Sequence, residues 1–512
     1  MIAFLNLSLQ ILALAAGLAG QPEALNSDRQ LFLDDHLLDL AQTHDVARTL
    51  NPPQDVQRIL KPDQPWERLG FIFYCCVVDD NGTAKLYHGS YDAEKKKHFM
   101  LATSTDGLHW ERPKLGLKAF EGSKENNLLP MEVVEAGIFL DAHSSPAERY
   151  RMVYTKGWPD PARGGVYAAS SADGIHWNPG ETRMLPFVPD SQPSAVWDEE
   201  RGEYAIYLRD WAAALGPKPI RTIARVAAKD WHTPWTYDSS APPYLVWGKD
   251  KIATPSKELQ VVMAPDAQDP DNLQLYTSAV VKYPYAPHVY LAFPAAYLLF
   301  KSDDFKGRAV TTNDGNFDAQ FAASRDGIAW KRWREPYMGA GLQGNLDLRL
   351  VSMGPGMVRR GPWLYQYFVG WPHTHGQPGI WDQKPETRAE WMSRDLGGLY
   401  CTRQRVDGFV SMNAGNTPAV LATQPFTFKG GRLHLNVHTD GVGSVKAALL
   451  DAEGKELPGF ETSACEAINA DAIDYEVRWT GGTDVSSLQG RPVRLRLTLR
   501  HARLYAFQFT EL

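Results

Sequence analysis

The chain has 512 residues, of which 44% are hydrophobic and 22% charged, and it carries a net charge of −7. That is the composition of a folded globular protein, its length calls for a repetitive architecture or more than one core, and the lack of any Lys/Arg-rich run excludes a nucleic-acid partner. The 16 Trp, 21 Tyr, 42 Gly and 35 Pro favour short strands and tight hairpins over long helices.

From Leu5 to Leu18 the sequence is almost wholly apolar, and small residues Gly17 and Ala19 precede polar sequence starting at Gln21. This reads as a signal peptide over 1–20 and implies export, to the periplasm or as a secreted protein. No Lys or Arg precedes the apolar run, so a buried N-terminal helix stays open as the other reading. No later stretch has the ~18 apolar residues of a membrane-spanning helix. Cys75, Cys76, Cys401 and Cys465 have neither disulfide-framework nor zinc spacing and read as buried thiols.

The strongest pattern is a phrase that returns. It stands as Ser104-Thr-Asp106-Gly107-Leu-His-Trp110, as Ser171-Ala-Asp173-Gly174-Ile-His-Trp177 and as Ser324-Arg-Asp326-Gly327-Ile-Ala-Trp330. Degenerate copies lie around Asp230 and Trp235 and at Arg405-Val-Asp407-Gly408-Phe409. Asp-Gly between apolar runs is a hairpin-turn signal, because Gly tolerates positive φ and Asp bonds its own backbone. Strand-like runs precede the turns: Phe71 to Val78 and Lys85 to Gly89 before the first, Gly137 to Leu140 and Tyr150 to Tyr154 before the second. Short strands in five repeated units predict five propeller blades over 21–415. Residues that recur in every unit build the turn, whereas chemistry takes place once per molecule. No run of a dozen residues outside the apolar N-terminus has helical periodicity.

Beyond residue 415, Leu433 to Val437, Val445 to Leu450, Tyr475 to Trp479, Val493 to Leu499 and Leu504 to Phe509 read as strands. Gly430-Gly431, Gly441 to Gly443 and Gly481-Gly482 separate them, which predicts a β-sandwich over 416–512. The expected fold is therefore all-β, a five-bladed β-propeller followed by a C-terminal β-sandwich.

Several segments carry a likeness. They are Arg29 to Asp35, Pro65-Trp66-Glu67, Gly137-Ile-Phe-Leu-Asp141, Tyr283-Pro-Tyr-Ala-Pro287, Ser324 to Trp330, Arg405 to Ser411 and Leu504-Tyr505-Ala-Phe507. In these the chain resembles the five-bladed propeller proteins of the invertase, levansucrase and arabinanase superfamily, in particular a group with an N-terminal domain like that of family 32 glycosyl hydrolases. The resemblance implies a funnel-shaped axial pocket with three carboxylates, serving as nucleophile or base, general acid, and a group that orients the acid. The Asn-Asp-Pro and Arg-Asp-Pro phrases of invertases are missing here, and Arg209-Asp210-Trp211 echoes the second only in part.

Glycoside hydrolysis needs two carboxyl groups flanking the bond, one protonated and one ionised. Acids near the inner strands are Glu67, Asp141, Asp190, Asp318 and Asp347, each of which also suits a turn cap or a surface charge. Asp190, Glu67 and Asp347 are the expected catalytic set. Asp141, Asp318, Arg209, Arg349, His373, His375 and Trp66 are expected around the substrate, Arg209 for its planar fork and Trp66 for stacking on a sugar face. His373 and His375 stand two apart, as metal ligands can, but no acidic partner is near them in sequence, so no metal or other cofactor is expected. The sequence thus predicts an exported glycoside hydrolase, exo-acting on a plant or algal glycan or oligosaccharide. A non-catalytic carbohydrate-binding propeller is the alternative, and neither reading fixes an oligomeric state. No Walker loop, dinucleotide fingerprint, nucleophile elbow or zinc-protease helix redirects it.

Overall fold

In the computed structural model the described residues are 22–512, apart from 134, 158–159, 161–162, 213–219, 238–243, 246–252, 255–258, 301–312, 344–345 and 377–384. The expected signal segment lies outside them. They are almost wholly β, with one α-helix of eight residues at Pro385–Met392, too short to register as periodicity. No helix among them is long and apolar enough to cross a membrane. All four cysteines are buried free thiols.

The chain divides into two compact units, one of residues 50–409 and one combining the chain up to Thr49 with Val410–Leu512. The N-terminal boundary thus differs from the one expected at residue 21. Glu23–Leu25 runs parallel to Phe426–Phe428, and Gln30–Leu31 pairs with Val493–Thr510, so backbone hydrogen bonds commit this segment to the C-terminal strands. That unit is a nine-stranded sheet. Its long strands Arg432–Asp451 and Val493–Thr510 alternate in burial, and Leu433, Leu435, Val437, Leu495, Leu497 and Leu499 enter one core. This is the inward–outward period of a sheet with one covered face.

In the unit 50–409, three antiparallel sheets follow one another. The first has Phe71–Asp80, Thr83–Tyr91 and Lys97–Ser104. The second is built from Ala136–Leu140, Tyr150–Lys156, Gly165–Ser171 and Trp177–Leu185, and the third from Ser194–Asp198, Glu203–Ala212, Ile220–Ala228 and Gln260–Met263. Apart from two two-stranded pairs, Tyr244–Leu245 with Ala253–Thr254 and Gly341–Gln343 with Leu346–Leu348, the remaining strands form an eleven-stranded sheet whose two parts meet through one parallel pair, Phe317 with Leu350. Its last antiparallel ladder joins Gly398–Arg405 to the early strand Gln54–Leu60. Inner strands touch in succession, Phe71–Asp80 with Ala136–Leu140 and that strand with Ser194–Asp198, and Leu350–Met353 comes back against Phe71–Asp80.

The recurring phrase has one structural meaning. Ser171 Oγ accepts from the Gly174 N–H (2.9 Å), and Asp173 Oδ1 accepts from the N–H groups of Ile175 and His176 (2.8 Å each). Ser104 with Asp106, and Ser324 with Asp326, repeat these bonds. A buried tyrosine from a different ladder then latches each turn. Tyr87 donates to Gly174 O (2.9 Å), Tyr207 to Gly327 O (2.8 Å) and Tyr367 to Gly107 O (2.8 Å), while Tyr283 donates to Asp407 Oδ1 (2.7 Å). On the same tyrosines Trp177, Trp330, Trp110 and Phe409 pack edge-on at 5.1–6.1 Å. Gly174 is confined to glycine twice over, by φ +75° and because a Cβ would come 2.4 Å from the Tyr87 hydroxyl. The Asp230 copy is built differently: Trp231 Nε1 donates to Ala169 O (3.2 Å) in the second sheet.

Candidate functional site

A cavity of about 1840 Å³ opens in the unit 50–409. Its wall includes Phe71 and Phe73 from the first sheet, Glu135 and Tyr154 from the second, Asp190 and Arg221 around the third, and Tyr276, Trp371 and His375 from later segments. Two carboxylates in it differ sharply in their surroundings.

Glu135 directly precedes the inner strand Ala136–Leu140. It is half-buried in the cavity wall, and Thr155 Oγ1 donates to its Oε2. Removal from water pushes its carboxyl above the usual range; Lys97 works against this shift and the Asp190 charge adds to it. Asp190 lies shortly before the inner strand Ser194–Asp198, with a left-handed backbone (φ +53°) uncommon for a residue bearing a Cβ. Arg209 Nη2 donates to Asp190 Oδ2 at 2.5 Å and also to its backbone carbonyl, and Arg209 Nε donates to Pro189 O at 2.9 Å. The Arg209 guanidinium is buried and lies 4.5 Å from the Tyr276 ring centre. The Asp190 side chain is 29% exposed, so a cavity-facing carboxylate is fixed from behind by a buried cation.

Phenols surround this pair. The Tyr74 hydroxyl is held well above its ordinary range by burial first, then by Tyr276 and Glu135; Tyr91 shifts the same way through burial, Glu135 and Asp190. Both remain hydrogen-bond donors at neutral pH. His375 Nε2 lies 3.2 Å from the Tyr276 hydroxyl and its Nδ1 3.2 Å from that of Tyr297. Burial brings this imidazole down to about 4, so it is neutral at pH 7.

Of the residues expected from sequence, Asp190 and His375 line the cavity and Arg209 backs Asp190. The others lie outside the lining, each for a visible reason. Glu67 is fully buried at the end of the short 3₁₀ turn Pro65–Glu67, where it accepts from Arg112 Nη2 (2.9 Å) and from the Gln64 N–H (3.2 Å). Trp66 packs edge-on against Phe120 at 5.6 Å. Asp141 stands at the far end of its strand from Glu135, accepting from Arg151 Nε (3.2 Å) and the Tyr204 hydroxyl (2.7 Å). Asp318 accepts from the Ala340 N–H at 2.5 Å. Asp347 and Arg349 pair with each other at 3.1 Å, at 61% and 46% side-chain exposure. His373 sits between Trp371 (4.6 Å) and Trp391 (4.5 Å), apart from His375 and its tyrosines. Among the described residues no cluster of three His, Cys, Asp or Glu side chains has metal-binding geometry.

Sequence reasoning missed Glu135, Arg221 and the Tyr74–Tyr276 surroundings. The signal for Glu135 was available: it is the acid immediately before an inner strand, the position that singles out Asp190, whereas Asp141 marks the strand's other end.

No family model and no curated protein matches the chain. Among solved structures it is similar to a glycosyl hydrolase from Bacteroides ovatus, at 14% identity and TM-score 0.42, over 70% of this chain and 94% of that one. It is similar to the family 32 β-fructofuranosidase of Bombyx mori, at 11% identity and TM-score 0.40, over 90% and 96%. A third is a family 43 arabinoxylan arabinofuranohydrolase from Bacillus subtilis, at 10% identity and TM-score 0.36, over 88% and 97%.

Proposed function

We propose that this protein is an exported glycoside hydrolase, exo-acting on a plant or algal glycan or oligosaccharide, with Glu135 as general acid and Asp190 as its ionised partner. The observation that carries the reading is the pair itself: two carboxylates in one cavity, one biased toward the protonated form by desolvation, the other ion-paired to buried Arg209. Opposed environments of this kind assign acid and base roles to chemically similar groups. Glu135 would protonate the departing glycosidic oxygen as its bond to the anomeric carbon breaks, Asp190 would stabilise the positive charge that develops there, and water would complete the reaction, its oxygen bonding to the anomeric carbon and one of its protons restoring Glu135. Arg209 holds Asp190 in its uncommon backbone conformation, and Tyr74 and Tyr91 supply neutral donors beside both. The same reading takes the strands of 50–409 as five propeller blades closed by Gln54–Leu60, and the nine-stranded sheet as an accessory β-sandwich; the latched turns and the returning inner-strand contacts support it.

Aromatic lining by Phe71, Phe73, Phe120 and Trp371 favours a second reading, a carbohydrate-binding protein without catalysis. A hydrolysis screen of aryl glycosides and plant and algal oligosaccharides, with Glu135→Gln and Asp190→Asn alongside, separates the two. The hydrolase reading expects each variant to lose about a thousandfold in kcat/KM, ~4 kcal/mol of barrier, while still folding, with a lower melting temperature for Asp190→Asn because it leaves buried Arg209 uncompensated. A wild-type protein that cleaves nothing but is stabilised thermally by glycans would establish the binding reading instead.

A further inference from the structure

We infer that the sugar bound in this cavity carries a carboxylate, and that Arg221 receives it. The inference rests on the carbohydrate reading above and narrows it to acidic glycans. Arg221 belongs to the strand Ile220–Ala228, is only 5% exposed, and lines the cavity. The other buried arginines each have a carboxylate: Arg29 with Asp474 (3.9 Å), Arg151 with Asp141 (3.2 Å), Arg209 with Asp190, and Arg225 with Glu203 (2.8 Å). Arg221 has none among the described residues. It donates to two neutral oxygens, Gln274 Oε1 (2.6 Å) and Asn313 Oδ1 (2.9 Å), which fix the plane of its fork. The rings of Trp211, Tyr276 and Tyr297 lie 4.5, 5.1 and 5.3 Å from its guanidinium carbon. They steady a cation but do not neutralise it.

A buried cation without a counter-charge has given up its hydration uncompensated. Here the cost is aggravated, because the Arg209 charge opposes that of Arg221. Asp190 offsets one of these two guanidinium groups, leaving a surplus positive charge at the wall next to the two carboxylates. A carboxylate on the substrate meets that surplus with a charge-assisted hydrogen bond, the strongest polar contact available at such a site. The cavity volume leaves room for the rest of an oligosaccharide.

The test is calorimetric titration of the wild-type protein with galacturonate and glucuronate, each beside its methyl ester and its neutral sugar, and with 4-sulfated galactose. The free acids are expected to bind at least about tenfold more tightly than their esters. Arg221→Gln and the charge-retaining Arg221→Lys are expected to reduce that preference, the glutamine variant the more. Equal binding of acid and ester by the wild type overturns the inference whether or not the variants fold, and so does preference for the sulfated sugar. Acid preference without cleavage of any glycoside keeps this inference and removes the hydrolase reading. Cleavage of neutral glycosides with no acid preference does the reverse.

Discussion

The Asp-Gly turns and the cavity use the same residue types to different ends. At Asp106, Asp173 and Asp326 the carboxylate faces its own backbone, and a serine, a glycine, a tyrosine latch and an edge-on tryptophan recur around it. At the cavity, Glu135 and Asp190 occur once each, and their partners are different: a threonine hydroxyl for one, a buried arginine for the other. An acidic side chain repeated along the chain serves geometry, while one set apart from the repeat is open to chemistry. Glu67 falls on the structural side by another route, since Arg112 and the turn backbone take up its oxygens.

The comparison breaks if substitutions in the two regions have like effects. The largest expected change is the thousandfold loss of activity in Glu135→Gln, with the fold intact. Next, Gly174→Ala drives a Cβ into the Tyr87 hydroxyl at a positive φ and is expected to destabilise by about 2–3 kcal/mol in chemical denaturation, with kcat unchanged. Glu67→Gln is expected to cost about 1–3 kcal/mol of stability by weakening a buried charged pair, again with kcat unchanged. A large fall in kcat for Glu67→Gln would return that residue to the catalytic set. Two further effects are in pH dependence. Glu135 binds its proton more tightly when folded, so the native state loses stability as pH rises past the ordinary glutamate range; Glu135→Gln should remove that loss in melting curves. His375 shifts the other way, from 6.5 to about 4. The folded state then binds fewer protons than the unfolded chain, its stability falls as pH drops from 6.5 toward 4, and His375→Gln should flatten that limb.

The sequence made the turns legible because Ser, Asp, Gly and Trp act within a few residues of one another. Their latches were not legible: Tyr367 and Gly107 are far apart in the chain and meet only when the circuit of sheets returns on itself. The site divides in the same way. Asp190 could be found from its place before a strand, and Arg209 from its planar fork. The pairing of Glu67 with Arg112, or of Asp141 with Tyr204, could not, because each depends on side chains brought in from another segment. Arg221 gave no sign, since a buried cation is recognised by what surrounds it, and Gln274 and Asn313 are distant in the chain.

The commitment of residues 22–49 to the C-terminal strands bears on how the protein comes into being. Glu23–Leu25 and Gln30–Leu31 are synthesised long before their partners Phe426–Phe428 and Val493–Thr510. Gln54–Leu60 likewise waits for Gly398–Arg405. Contacts this remote in sequence slow folding and leave strand edges uncovered in the meantime. The unit 50–409 cannot close before Gly398–Arg405 is made, and the other unit waits for Val493–Thr510, so a nascent chain halted before residue 398 holds open strand edges at both of its future closures.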